Sequence, residues 1–217
     1  MVTINYRLEP HTSIPYHTGV AIPVFSLRSE QSVGVGDFSD LISFADFVAK
    51  SGMDLIQILP INDTTTFMDW RDSYPYRAIS VFALHPIYLD MSVFREVLTD
   101  SEKADFDAQQ KSLNGLETVD YEAVFTAKWH YIKIGYEKLS KNIFSSMAFL
   151  DFFAQNLNWL EPYAAFCYLR DLHHTSDYSQ WGEFAKFSKD KLKKLSTSGL
   201  NLHYFVQFLL HQQLKSA

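Results

Sequence analysis

The sequence predicts an α/β fold, a first βαβ unit followed by a mostly helical subdomain, and three observations carry that expectation. Two short β-rich apolar runs, Gly19 to Phe25 and Leu55 to Leu59, flank one amphipathic helical pattern. The second run halts at Pro60 and gives way to a long polar, aromatic-rich stretch. Beyond Asp90 the apolar residues recur at helical spacing with no strand between them. The expected organisation is an entry segment at 1–18, two strands with their connecting helix and a ligand loop at 19–91, a helical subdomain at 92–199, and a returning helix at 200–217.

Taken in order, Met1 to Thr18 holds two prolines and two histidines without periodicity and reads as a loosely ordered entry. Gly19 to Phe25, rich in Val and Ile, reads as a buried parallel strand opening into the loop Ser26 to Gly36. Asp37 or Ser39 caps the next helix, where Leu41, Phe44, Ala45 and Val48 recur at i, i+3, i+4 and i+7, and Gly52 stops it. Leu55, Ile56, Ile58 and Leu59 then read as a strand buried on both faces. Strand, helix and strand in this order predict a right-handed crossover with ligand-facing loops at the strands' carboxyl ends.

Five helices follow, Ser92 to Leu98, Asp100 to Leu113, Asp120 to Leu139, Ile143 to Leu157 and Pro162 to His173, with a turn at Asn114-Gly115. Tyr121, Val124, Phe125, Ile132, Tyr136 and Leu139 supply one apolar face. Pro162 fits the first turn of a helix capped by Asn158 or by the preceding loop. The final helix, Leu200 to Leu214, follows Ser198-Gly199 and carries Leu202, Phe205, Val206, Leu209 and Leu210.

Composition narrows the function. The 217 residues are 47% hydrophobic, enough for a sizeable core. The net charge of −6, with no basic stripe beyond Lys189 to Lys194, argues against nucleic acid as partner. No apolar run approaches the ~20 residues of a membrane span, and MVTINYRLEP lacks the form of an export signal. With the single Cys167 in an apolar helical pattern, the expectation is a cytoplasmic protein with a buried thiol.

The stretch from Asp54 to Asp90 holds the strongest site candidates. Asn62, Asp63, three threonines, Trp70, Asp72 and two tyrosines around Pro75 suit hydroxyl-rich ligands. In Tyr74-Pro75-Tyr76 the proline fixes the backbone, so both phenols are presented rigidly with a ring face and a hydroxyl. Residue types alone slightly favour a plain surface turn there. Asp63, Asp69 and Asp72 share the loop, yet spacing does not establish the ~5 Å separation of a retaining carboxylate pair. They read as partners of sugar hydroxyls or loop amides, and Asp37 and Asp90 as caps. Gly34-Val-Gly36 lacks the third glycine of a dinucleotide fingerprint, a position held by Ser39, and reads as a tight strand-to-helix turn. His173-His174 with Asp177 lacks a third spaced ligand and reads as a histidine-rich helix end, so no metal is expected there.

These motifs, GVAIPVFSLRSEQSVGVGDFSDL, LIQILPIND and SYPYRAISVFALHP, resemble the opening of the amylomaltase or disproportionating-enzyme family, the 4-α-glucanotransferases of glycoside hydrolase family 77. Asn158 to Tyr168 and LRDLHHTSDYSQWGEF resemble its plant-cytosolic and bacterial long-form branch. The resemblance implies an incomplete (β/α)₈ barrel, of which this chain is the N-terminal part, because a whole one needs about 250 residues. It also implies that the catalytic aspartates and glutamate lie beyond Ala217, that no cofactor is used, and that the rest of the barrel is a partner.

The implied substrates are α-1,4-glucans and malto-oligosaccharides, met here by Asp63, Tyr74, Tyr76, Arg77 and Ser80, with Tyr76 beside the glucose unit at the cleavage point. Tyr74 stands where short amylomaltases have serine, so a serine-mediated contact is not carried over. The expected fragment is inactive alone. Two alternatives remain open on the residues: a free-standing glucan-binding or protein-interaction module, and a different α/β enzyme whose site is wholly contained here. The second is disfavoured by the lack of a nucleophile elbow or a complete phosphate loop.

Overall fold

Gly52 takes φ +76°, a backbone conformation that only glycine adopts freely, and so ends the first helix and turns the chain into its second strand. The computed structural model describes residues 16–186 and 188–217. The expected entry segment therefore lies, except for 16–18, outside the described residues. Strand β1 (Gly19–Ile22) and strand β2 (Leu55–Ile58) pair in parallel, Gly19 opposite Leu55 and Ile22 opposite Ile58. Helix α1 (Phe38–Lys50) connects them. A Cβ on Gly19 would lie 2.4 Å from the Leu55 carbonyl oxygen, so this close start of the pairing requires glycine.

Of the two candidate caps, Asp37 holds the N-terminus of α1. Its carboxylate accepts from the Ser39 amide at 3.0 Å, and Asp40 accepts from the Asp37 amide at 3.0 Å. Gly34 has φ +72°, and a Cβ on Gly36 would meet the Val24 and Leu27 carbonyls, so both glycines serve the tight turn. The first strand is shorter than the apolar run because the chain leaves it at Pro23 and makes a 3₁₀ turn, Val24–Ser26.

The second strand departs from expectation in its burial. Leu55 is 52% exposed, Gln57 is exposed, and Ile56 and Ile58 are half-buried. Among the described residues the sheet has two strands, so one face has nothing packed over it. The stripe on α1 is likewise only partly covered, with Val48 buried and Leu41, Phe44 and Ala45 half-buried.

Among the described residues six further α-helices follow: α2 (Ser92–Arg95), α3 (Asp100–Asn114), α4 (Tyr121–Phe144), α5 (Met147–His173), α6 (Lys189–Leu192) and α7 (Thr197–Ser216). The segment expected as a helix through Leu98 is a single helical turn, because Thr99 starts α3 with its own capping box to Glu102. Two expected helices merge into α5, and Pro162 lies inside it rather than at a first turn, with no cap at Asn158. A proline there forfeits one backbone hydrogen bond and costs about 3 kcal/mol. Burial of Leu160, Tyr163, Ala164, Ala165 and Cys167 on either side, much of it against α7, offsets that cost.

Helix α7 begins earlier than its apolar pattern indicates. Ser196 caps it, and Gly199 sits in its first turn, where a Cβ would lie 2.3 Å from the Tyr168 ring of α5. Glycine here permits close helix approach instead of marking a turn. From His203 to Leu210 every residue of α7 is buried, the signature of a central helix rather than an amphipathic one. Its neighbours are α5, α4 and α1. One continuous core joins Val24, Val35 and Phe38 to Leu89, Phe94, Val124, Ile132, Leu160, Phe205 and Leu210. Among the described residues no helix is long and apolar enough to cross a membrane.

Candidate functional site

The carboxyl ends of both strands open toward one loop, residues 61–84, closed at its base like a hairpin. The Asp63 amide donates to the Ala83 carbonyl at 2.9 Å, the His85 amide to Ile61 at 3.0 Å, and the Ile79 amide to Asp63 at 2.8 Å. Asp72, buried at the loop's centre, accepts from the amides of Thr66 (3.0 Å), Phe67 (2.9 Å) and Met68 (2.6 Å). The Thr64 hydroxyl donates to the Asp72 carbonyl. Three consecutive amides folded onto one carboxylate give the loop a defined shape without an apolar core of its own. Burial raises the Asp72 carboxyl above its usual range, and the amide donors pull the other way.

Asp69 caps the short turn Trp70–Ser73 and is held below the usual carboxylate range by its bonds to Arg71, whose guanidinium also lies 3.8 Å from the centre of the Phe67 ring. The outer rim of the loop is aromatic and open. Trp70 is 69% exposed, Tyr74 55% and Tyr76 61%, and the two tyrosine rings lie 5.5 Å apart across Pro75. Such a row presents ring faces and hydroxyls together.

Beside this rim lies a cavity of about 520 Å³, bounded by Phe25 after β1, Pro60 and Asn62 after β2, Trp70, Asp72 and Pro75 of the loop, and Thr118 to Glu122 at the start of α4. His85 and Tyr121 form its polar floor. The Ile87 amide donates to His85 Nδ1 at 3.1 Å, which places the proton of the neutral ring on Nε2, 2.9 Å from the Tyr121 hydroxyl oxygen. Burial pushes His85 down to about 4, so the ring is neutral at pH 7. The Tyr121 phenol is held protonated by burial and by the nearby carboxylates Asp72 and Asp63. With its oxygen accepting from His85, its own proton is available to an acceptor elsewhere.

The residues singled out in the sequence fall into two groups. Tyr74, Tyr76 and Arg77 come together on the exposed rim, with Arg77 5.6 Å from the centre of the Phe67 ring. Ser80 sits at the loop's return, where its hydroxyl oxygen accepts from the amides of Phe82 (3.2 Å) and Ala83 (3.1 Å). Asp63 is elsewhere, only 1% exposed. One oxygen accepts from the Thr65 amide and hydroxyl, the other from the Tyr163 hydroxyl at 2.6 Å. As folded here it braces the loop from within: of the two roles expected of it, partner of sugar hydroxyls or of loop amides, this geometry fills the second. Tyr74 and Tyr76 flank the cavity through Pro75 without lining it.

Sequence reasoning missed His85, Tyr121 and the three side chains that support the loop from below, Tyr163, Arg170 and Gln207. Arg170 carried the one legible signal, a charge inside the apolar run AAFCYLRDL. Cys167 is buried, and its thiol is pushed up to about 12, chiefly by burial, so it stays protonated. His173 ends α5 and His174 is its C-cap at φ +53°. Among the described residues no group of three His, Cys, Asp or Glu side chains is placed to hold a metal ion.

Known proteins are similar to this chain in sequence and in fold. The family model described as 4-alpha-glucanotransferase, glycoside hydrolase family 77, matches residues 22–217. The chain is 42% identical over 205 residues to 4-alpha-glucanotransferase DPE2 of Oryza sativa subsp. japonica, covering 92% of this chain and 22% of that protein. It is 31% identical over 215 residues to a 4-alpha-glucanotransferase of Chlamydia muridarum, covering 93% of this chain and 38% of that one. It therefore spans well under half the length of these relatives. In fold it is similar to an amylomaltase from Streptococcus agalactiae solved in complex with acarbose, with a TM-score of 0.73 at 20% identity, over 91% of this chain and 39% of that chain. An amylomaltase from Corynebacterium glutamicum gives a TM-score of 0.71 at 20% identity, over 92% and 27%. With the match running from the last residue of β1 through β2, the loop and all the helices, the chain belongs to the 4-alpha-glucanotransferase family, glycoside hydrolase family 77.

Proposed function

We propose that this chain forms one wall of the glucan site in a cytoplasmic 4-α-glucanotransferase, within a (β/α)₈ barrel to which it contributes the first βαβ unit. The observation that carries the reading is the exposed aromatic rim of Trp70, Tyr74 and Tyr76 beside a polar-floored cavity, at the carboxyl ends of two parallel strands. The substrates are α-1,4-linked glucans and malto-oligosaccharides, whose sugar rings stack on aromatic faces while their hydroxyls bond polar groups. Tyr74, Tyr76, Arg77 and Ser80 are the contacts proposed on this chain.

The reaction is transfer with retention. An enzyme carboxylate displaces one part of the glucan to form a covalent glycosyl-enzyme, and the 4-hydroxyl of a second sugar then displaces the carboxylate, so two inversions restore the configuration. The 217 residues supply binding and not these carboxylates. Support comes from the three loop aspartates, each already committed: Asp63 to Tyr163 and Thr65, Asp69 to Arg71, Asp72 to three amides. The chain is accordingly inactive alone.

The test is chain-length redistribution from maltose plus glycogen, run with the 217 residues alone and with the same residues joined to the remaining length found in the relatives. Activity only in the longer protein is the expected result. Robust activity of the 217 residues alone would overturn this and point to Asp63, Asp69 and Asp72 as catalysts.

A further inference from the structure

Three buried side chains outside the loop reach into it from the helical core. From α5, the Tyr163 hydroxyl donates to Asp63 at 2.6 Å, and Arg170 Nη1 donates to the Thr65 carbonyl at 2.7 Å. From α7, Gln207 brackets Leu84 at the loop's other end, accepting from its amide at 2.9 Å and donating to its carbonyl at 2.7 Å. Gln207 also donates to the Tyr163 hydroxyl at 3.2 Å, so the two posts are joined. All three are buried, and Arg170 is further fixed by Asp171, which accepts from its Nε at 2.8 Å.

We infer that Tyr163, Arg170 and Gln207 are positioning residues for glucan recognition: they set the level and shape of residues 63–84, and thereby the spacing of Trp70, Tyr74 and Tyr76. The inference rests on the glucan reading of that loop. Three features favour positioning over plain packing. Every bond they make to the loop ends on Asp63, Thr65 or Leu84, close to the two ends from which a 24-residue loop is aimed. Apolar packing anchors only the loop's return, where Ile79 and Ala83 lie against Tyr163 and Cys167, while the interior of 63–72 is Asp72 and the threonine hydroxyls. And a buried guanidinium and a buried carboxamide are costly places to put polar groups unless their directionality is used.

The guanidinium is well suited to this. Its planar fork serves the Thr65 carbonyl with one edge and Asp171 with another, which an ammonium group reproduces only in part. Thr65 is two residues from Asp63, so Arg170 and Tyr163, about two turns apart on one face of α5, grip the same stretch. A shift at that stretch moves the Asp72 nest and, with it, the rim.

The experiment compares wild type with Tyr163→Phe, Arg170→Met and Arg170→Lys, each as the 217-residue chain, at a temperature where far-ultraviolet circular dichroism shows all four folded. Two readouts are taken: amide hydrogen exchange over 63–84 against α4 and α7, and maltoheptaose affinity by calorimetry. The expected result is faster exchange confined to the loop and affinity lowered roughly tenfold for Tyr163→Phe and Arg170→Met, with Arg170→Lys intermediate because it keeps one bond. Exchange that stays at the wild-type rate in the loop overturns the inference whatever the affinity does. A loosened loop with unchanged affinity overturns the role in recognition and leaves the glucan reading intact. A wild-type chain that binds no maltoheptaose contradicts the glucan reading itself, and loop loosening in the variants would then report a purely structural brace, which also overturns the inference.

Discussion

In the helical core Phe94 lies 6.2 Å from Phe205 and Phe149 lies 5.4 Å from Phe208, all four buried, whereas in the loop of residues 61–84 Trp70, Tyr74 and Tyr76 are exposed to solvent. The same residue types serve opposite ends. The core rings are held by removal of apolar area from water, and their positions need no directional bond. The loop rings lack that support, and what holds them up is polar: the amide nest on Asp72, the closure between Asp63 and Ala83, and the posts Tyr163, Arg170 and Gln207. A surface that must stay open to a ligand is shaped by hydrogen bonds, because burial would close it.

This contrast predicts a ranking of effects. Phe205→Ala removes a fully buried ring between Phe94 and Tyr136 and is expected to lower stability by about 3–5 kcal/mol, read from the urea midpoint. The polar side of the contrast is sharpened by acid. His85 and His203 are buried and pushed down to about 4 and about 3, below the ordinary 6.5. The unfolded chain therefore binds more protons between those values, and stability falls as pH drops from 6.5 toward 4. Asp37, Asp72 and Asp171, raised by burial, act in the opposite sense and blunt the decline. His85→Asn retains a side-chain acceptor for the Ile87 amide and is expected to remove roughly 3 kcal/mol of that loss between pH 7 and pH 4.

Asp72→Ala, which leaves the amides of Thr66, Phe67 and Met68 without their acceptor, is expected to cost about 1–3 kcal/mol. Its hydrogen-exchange signature is confined to the loop; spread into α7 would show that loop and core are not separate in the way described. At the bottom of the ranking, Trp70→Ala and Tyr76→Ala change stability by less than about 0.5 kcal/mol, since both rings are exposed.

Much of this organisation was legible in the chain. Val and Ile runs on either side of an Asp-capped stripe identified the βαβ unit, and a polar aromatic stretch directly after a strand identified the loop. Burial of β2 was not legible, because it depends on how many strands and layers surround Leu55 and not on Leu55 itself. The continuity of α5 was hidden by Pro162, whose local preference is outweighed by packing against α7. Asp63 was recognised as a hydrogen-bonding residue, but its partner Tyr163 lies 100 residues away, and Leu84 and Gln207 are 123 apart. Pairings at that separation are decided by helix packing, which a single sequence leaves unstated.

The most direct measurement is a calorimetric titration of maltoheptaose into the 217-residue chain, wild type against Trp70→Ala and Tyr76→Ala, with urea midpoints recorded alongside. Saturable binding that weakens by roughly tenfold or more in each variant while the midpoints hold is the result the account predicts. Equal affinity in all three, or no binding by the wild type, would contradict the claim that this loop exists to present its rings to glucan.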